Sequence, residues 1–223
     1  MKAEKDSAFC TKHTKLCPRI APVSESTPVF DPDAYNKYHG IQESHNCYAY
    51  AMGFRKLPKK CTPASCSVSY PQPGYKSGYS EWNNVQGKRC PDILARILGD
   101  APRAKLSTFE EKCPSGYRKI AVVADPDQDY HLYRQDKDGY WSHKPGSTKV
   151  TRVDTTGRPI YDPQLATRDN KESNLDYNRF CSYLCIPTTN RLKRNIVTKK
   201  RGGSKRGGTK RGGTKRLKPQ KNQ

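Results

Sequence analysis

The chain has 223 residues, of which 33% are hydrophobic and 28% are charged, and its formal net charge is +21. This length favours a single globular domain with extensions over two domains. No stretch approaches the roughly 18 consecutive apolar residues that a membrane-spanning helix needs, so we expect no transmembrane segment. The first residues, MKAEKDSAFCTKHTK, lack the apolar region of a signal peptide, which predicts an intracellular protein.

The positive charge is concentrated at the C-terminal end of the chain. Residues 190–223 contain 14 of the 42 Lys and Arg residues and no Asp or Glu. The repeat KRGGSKRGGTKRGGTKR predicts disorder, because glycine opposes a helix and no apolar side chain offers a core. Such a tail is typical of binding to a polyanion (DNA, RNA or an anionic membrane surface), the alternative being a tail that only solubilises or localises the protein. The predicted contacts come from Lys199, Lys200, Arg201, Lys205, Arg206, Lys210, Arg211, Lys215, Arg216 and Lys218.

Changes in composition divide the chain into three predicted parts. Residues 1–40 form an extended arm, because their repeated prolines oppose both a helix and a central strand. Residues 41–189 contain nearly all clustered aliphatic and aromatic side chains and form the globular domain. Residues 190–223 form the basic tail.

Helices are predicted in the first half of the domain. Residues 46–56 have Ala and aromatic residues at helical spacing, and a second helix runs from Cys90 to a stop at Gly99. Ser107 and Glu110 form a capping-box pattern, which predicts a short third helix. The loop-rich residues 57–90 are long enough to predict a binding surface.

Strands are predicted in the second half of the domain. The segments RKIAVVAD, DYHLYRQ, GYWSHK and KVTRVD are separated by the turn signals PDQ, DKDG and PGS, and NRFCSYLCI is a candidate last strand. Helices followed by an antiparallel meander predict an α+β domain.

Cys47, His131 and His143 are the candidate catalytic residues. A cysteine at a helix start lies near unpaired backbone N–H groups and the positive end of the helix dipole, and both favour the reactive thiolate. A nucleophilic thiolate also needs a base and a group that orients the base. The alternative is that all three residues are structural, as a buried cysteine and two histidines of the sheet.

The turn between the two histidine-bearing strands decides whether the imidazoles share a face. The sequence DKDG suits a three-residue loop with Gly139 in the left-handed conformation. This register places Tyr133 opposite His143, and His131 then lies on the same face, one diagonal step away. A loop of two or four residues would place the histidines on opposite faces.

The order of these residues resembles the NlpC/P60 group of papain-like cysteine hydrolases, over about residues 41–165. The resemblance rests on a cysteine at a helix start, a histidine on a later strand and a polar residue across a hairpin ending in Asp-Gly. It implies a papain-like fold with Cys47 as nucleophile, His131 as base and His143 as the residue that orients the base. The surrounding sequences HNCYAYA and HLYR depart from the family pattern. The run DYHLYRQDKDGYWSHKPG also resembles a segment of bacterial and large-DNA-virus proteins.

The remaining eight cysteines are expected to be bridged or buried. They include no CxxC pair, which makes a zinc site a weak alternative, and no metal or cofactor is expected. Two functions fit the whole pattern. The first is a component of a large assembly, a virion or minor capsid protein with an inert hydrolase-like domain, other capsid proteins as partners and a virion or intracellular location. The alternative is an active cysteine peptidase or amidase.

Overall fold

The computed structural model describes residues 18–68, 70, 72–82 and 88–188. Its helices are α1 (Asp33–Asn36), α2 (His39–Ser44), α3 (Cys47–Ala51) and α4 (Cys90–Asp100). Its strands are β1 (Lys105–Ser107), β2 (Tyr117–Asp125), β3 (Asp129–Gln135), β4 (Trp141–His143), β5 (Asp169–Asn170), β6 (Leu175–Asp176) and β7 (Arg179–Pro187). No helix in these ranges is long and apolar enough to cross a bilayer.

A five-stranded antiparallel sheet in the order β1-β7-β2-β3-β4 forms the centre of the fold, and β5 and β6 pair separately. Strand β2 is central because its run Ile120–Ala124 is apolar at every position and buried on both faces. The α+β class is therefore confirmed. The final strand β7 pairs with β2 instead of continuing the meander beyond β4.

The two faces of the sheet pack against different parts of the chain. Ile120 and Val122 belong to one buried cluster with residues of α3 and α4 on one face. On the other face, Val123 and Trp141 pack with Ala21, which is fully buried. Ala21 also accepts a hydrogen bond from Gln135 Nε2 at 2.7 Å, so the predicted arm lies against the sheet at this point. The arm is not extended throughout, because it contains helix α1.

The predicted helices are only partly correct. Helix α3 ends earlier than predicted, because the chain turns at Gly53, which has a φ of +70°. Helix α4 starts at Cys90 as predicted. No third helix follows β1: Thr108 and Glu111 exchange the two hydrogen bonds of a capping box, but the chain after them has no helical residue before β2.

Three disulfides connect six of the seven described cysteines, so the predicted bridging is confirmed for these six residues. The bridges are Cys61–Cys66, Cys90–Cys181 and Cys113–Cys185, and Cys47 is free and buried. Cys90–Cys181 ties α4 to β7, and Cys113–Cys185 ties the segment between β1 and β2 to the same strand. Cys10 and Cys17 lie outside the described residues.

Candidate functional site

Cys47 lies at the start of α3, as predicted. Asn46 caps this helix, since its Oδ1 accepts a hydrogen bond from the Ala49 N–H at 2.9 Å. The sulfur lies against strand β3, with Sγ 4.0 Å from the carbonyl oxygen of Tyr130. Burial, reinforced by the nearby Asp129 carboxylate, raises the pKa of the thiol to about 12. The sulfur is therefore a neutral thiol at physiological pH, in contrast to the thiolate that its position at a helix start predicts.

The two histidines lie together, and the hairpin has the predicted register. Tyr133 is opposite His143, and Gly139 has a φ of +92°. His131 Nε2 and His143 Nδ1 are 2.8 Å apart, and His143 Nε2 lies 3.0 Å from the Val153 carbonyl oxygen. The prediction of a shared face is confirmed.

These contacts determine the proton positions on both neutral rings. A carbonyl oxygen can only accept, so His143 Nε2 carries the proton that it donates to Val153. His143 Nδ1 is then an acceptor, and His131 Nε2 must donate to it. The lone pair of His131 is consequently on Nδ1, the nitrogen that a base in this arrangement would use.

Burial keeps both imidazoles neutral. It lowers the pKa of His143 to about 4, and it lowers the pKa of His131 well below its ordinary value, with the neighbouring His143 adding to the shift. Tyr133 and Tyr177 pack against the His131 ring, with centroids 5.1 and 5.4 Å away. Tyr177 is held by a hydrogen bond from its hydroxyl to Asp129 at 2.9 Å. Aromatic rings therefore enclose the histidine pair.

Cys47 is not hydrogen-bonded to His131 among the described residues. The sulfur packs with Tyr130 and Leu132, whose side chains belong to the helix-facing core. His131 lies between them in the strand and projects to the opposite face, where it contacts Tyr133. The structure thus brings the two predicted histidines into direct contact. The sulfur of Cys47 contacts the same strand as His131, but on its other face.

Two participants in this arrangement lie outside the predicted set. The Val153 carbonyl orients His143, and Tyr177 covers His131. A backbone carbonyl has no sequence signal, and Tyr177 follows the segment that resembles the hydrolase family. Within the described ranges, no group of three His, Cys, Asp or Glu side chains could hold a metal ion. The ten predicted polyanion-binding residues of the tail lie outside the described residues.

Comparison with known proteins gives a relative of a different kind. No family model and no solved structure matches the chain. Insoluble matrix shell protein 1 of Ruditapes philippinarum is 34% identical over 139 residues, which are 62% of this chain and 80% of the relative. The chain belongs to the family of this shell protein.

Membership of this family corrects the predicted location. A virion or intracellular location was expected, the intracellular one from the lack of an apolar leader, and that prediction is wrong. The relative is a shell matrix protein, and the three disulfides are typical of oxidising compartments outside the cytosol. Both findings point to an extracellular location, and neither supports a capsid role. The broader prediction of a structural assembly component agrees with the family.

Proposed function

We propose that this protein is an extracellular structural component of an insoluble shell matrix, in which the disulfide-bonded α+β domain is the unit of assembly. The observation that carries the proposal is the 34% identity to a protein of that description across 80% of the relative's length. The disulfides give a domain of this size a covalent frame suited to an extracellular material.

Fractionation of the source tissue tests this proposal. An antibody against the globular domain should detect the protein in the organic residue that stays insoluble after demineralisation. The soluble cell lysate should contain only the newly made protein. Detection confined to the cell lysate, with none in the extracellular residue, would contradict the proposal.

We propose that the basic tail attaches the domain to a polyanionic component of the matrix. The support is its composition, with 14 cations and no acidic residue in residues 190–223. Counterion release makes such binding weaken steeply as salt rises.

The tail proposal predicts a loss of salt-sensitive binding when the repeat cations are neutralised. A full-length variant with Gln in place of Lys and Arg at 205, 206, 210, 211, 215 and 216 should bind polyaspartate and DNA more weakly and with a shallower salt dependence. Titrations at several salt concentrations measure both quantities. An unchanged salt dependence would show that the tail is not the binding element.

We also propose that the domain is an inert scaffold related to the papain-like hydrolases, with the sulfur of Cys47 and the imidazole of His131 on opposite faces of β3. The hydrogen bond between the two histidines, which leaves the lone pair of His131 on Nδ1, supports a relation between this domain and the hydrolases. The neutral buried thiol, with its pKa raised to about 12, argues against activity, because a nucleophilic cysteine needs an accessible thiolate.

Labelling with a thiol-directed amide probe tests the inert scaffold. The native protein at pH 7 should react no faster than the Cys47→Ala variant, while wild-type protein unfolded in urea should react readily. Fast labelling of native protein that Cys47→Ala abolishes would instead favour the alternative, a cysteine peptidase or amidase.

A further inference from the structure

A groove with an aromatic lining lies beside helix α3, on the predicted binding surface of residues 57–90. It has a volume of about 430 Å³, and Phe54, Leu57, Pro58, Tyr70 and Tyr75 contribute its apolar lining. We call this feature the aromatic groove. The histidine pair and Cys47 do not line it.

Aromatic packing shapes the groove from within. The rings of Phe54 and Tyr70 are stacked, with centroids 5.2 Å apart and planes inclined by 19°. Tyr48 packs edge-on against Phe54. Tyr75 remains 63% exposed, which leaves one aromatic face open to a ligand. Large exposed aromatic side chains beside an apolar recess are typical of interaction sites.

The polar groups of the groove differ in what they can offer a ligand. Asp100 is buried and already accepts hydrogen bonds from the Tyr48 hydroxyl, the Gly74 N–H and the Ser77 N–H and hydroxyl. Its carboxylate is therefore committed to holding the loop. Lys56 and Lys59, by contrast, line the groove as exposed cations. The exposed charged groups that the groove can offer a ligand are consequently positive.

These features together select the ligand chemistry. Gln72, Tyr70 and Tyr75 also line the groove and could hydrogen-bond a neutral sugar polymer, but such a ligand would leave the charges of Lys56 and Lys59 without a partner. The chain's own terminal segments are poor occupants, because residues 1–17 and 190–223 both carry net positive charge. We propose that the aromatic groove binds an acidic segment of a partner protein, with an aromatic or aliphatic side chain on the groove floor and carboxylates beside Lys56 and Lys59. This inference is independent of the proposed matrix role.

Peptide binding by the full-length oxidised protein tests the inference. The probe is a short fluorescent Asp-rich peptide containing one Phe and one Leu, and its comparison peptide has Gly at both apolar positions. The basic tail attracts both peptides equally, since their charge is the same, so the difference in affinity reports the groove. The Phe-Leu peptide should bind about tenfold more tightly.

Two surface variants with matched controls locate the site. Tyr75→Ser should remove most of the preference for the apolar peptide, and Lys59→Glu should weaken binding of that peptide several-fold. Tyr38→Ser and Lys149→Glu change exposed residues that do not line the groove, and they should bind like the wild type.

Two outcomes would overturn the inference. Equal affinity for the two peptides in the wild type would mean that only the charge of the protein attracts them. Binding of an uncharged glucose or N-acetylglucosamine oligomer that Tyr75→Ser abolishes, without any preference between the peptides, would make the groove a carbohydrate site.

Discussion

Three buried imidazoles, those of His45, His131 and His143, are kept neutral by the packing around them. Burial lowers the pKa of His45 and of His143 to about 4, and it lowers the pKa of His131 well below its ordinary value. His45 Nδ1 is 2.9 Å from the Ser44 hydroxyl, which in turn donates to the Gly40 carbonyl. Protonation of each ring in the folded protein is unfavourable, because the buried charge would be poorly solvated.

The buried histidines predict a loss of stability in mild acid. An unfolded imidazole binds a proton near pH 6.5 and folded His143 only near pH 4. The unfolded state therefore binds more protons than the folded state between these two pH values. The free energy of unfolding is consequently at its full value above pH 6.5 and falls as the pH is lowered to 4. For His143 alone the loss is about 3 kcal/mol. Urea unfolding at pH 7 and pH 4 measures it.

A substitution separates this contribution from general acid effects. His143→Gln should reduce the difference in unfolding free energy between pH 7 and pH 4 by about 3 kcal/mol, whatever its effect at pH 7. His39→Gln, at an exposed histidine, is the matched control. If both variants keep the wild-type difference, His143 is not a source of the acid sensitivity.

At the scale of single elements, the β3–β4 hairpin has the greatest influence on the histidine pair. Its turn fixes the register through Gly139, and Gly139 N–H donates to the Asp136 carbonyl at 2.9 Å. A Cβ at position 139 would also lie 2.3 Å from Ile20 Cγ2, so the turn packs tightly against the N-terminal segment. The left-handed conformation favours glycine there, and a larger residue would also displace the side chain of Ile20.

Gly139→Ala should therefore destabilise the domain by about 2–3 kcal/mol, through the left-handed backbone and the clash with Ile20. Gly157→Ala is the matched control, since Gly157 has a φ of +81° but nothing within 4 Å of an added Cβ. That variant should lose only about 1 kcal/mol. Chemical denaturation compares the two, and equal losses would show that the Ile20 contact contributes nothing.

The same hairpin shows what sequence patterns can predict. Turn chemistry and the two-residue period of a strand are local, so the residues DKDG suffice to pair Tyr133 with His143. Similarly, Cys90 and Pro91 correctly predict the start of α4. In the candidate site, these local patterns are enough to predict that the two histidines lie together.

Non-local packing limits the remaining predictions. The insertion of β7 beside β2 depends on contacts between distant segments, and the choice of cysteine partners follows from that placement. Helix α3 is short because its chain turns at Gly53 beside the Arg118 guanidinium, a contact that the sequence pattern does not contain. The pKa of Cys47 likewise depends on burial by the sheet, which outweighs the effect of a five-residue helix.

At the scale of the whole molecule, the disulfides differ in the chain length that they constrain. Cys90–Cys181 and Cys113–Cys185 join residues 91 and 72 positions apart, whereas Cys61–Cys66 joins residues five positions apart. A bridge reduces the entropy of the unfolded chain more when it closes a longer loop. The two long bridges should therefore dominate the covalent contribution to stability.

Removing single bridges checks this ranking. The pair Cys113→Ala and Cys185→Ala should lower the unfolding free energy by about 4–5 kcal/mol, and the pair Cys61→Ala and Cys66→Ala by about 2 kcal/mol. Denaturation without a reducing agent measures both variants. A larger loss for the Cys61–Cys66 variant would show that loop length does not govern the contribution of these bridges.

The two bridges on β7 also bear on mechanical load. Strand β7 ends at Pro187, and the basic tail follows it in the chain. Tension applied to an anchored tail would begin to peel β7 from the sheet at this end, and would meet the covalent link at Cys185 after two residues. The second bridge, at Cys181, lies four residues further along β7 from this end. Pulling from the C-terminus would therefore load sulfur–sulfur bonds before it could unzip the remaining hydrogen bonds between β7 and β2.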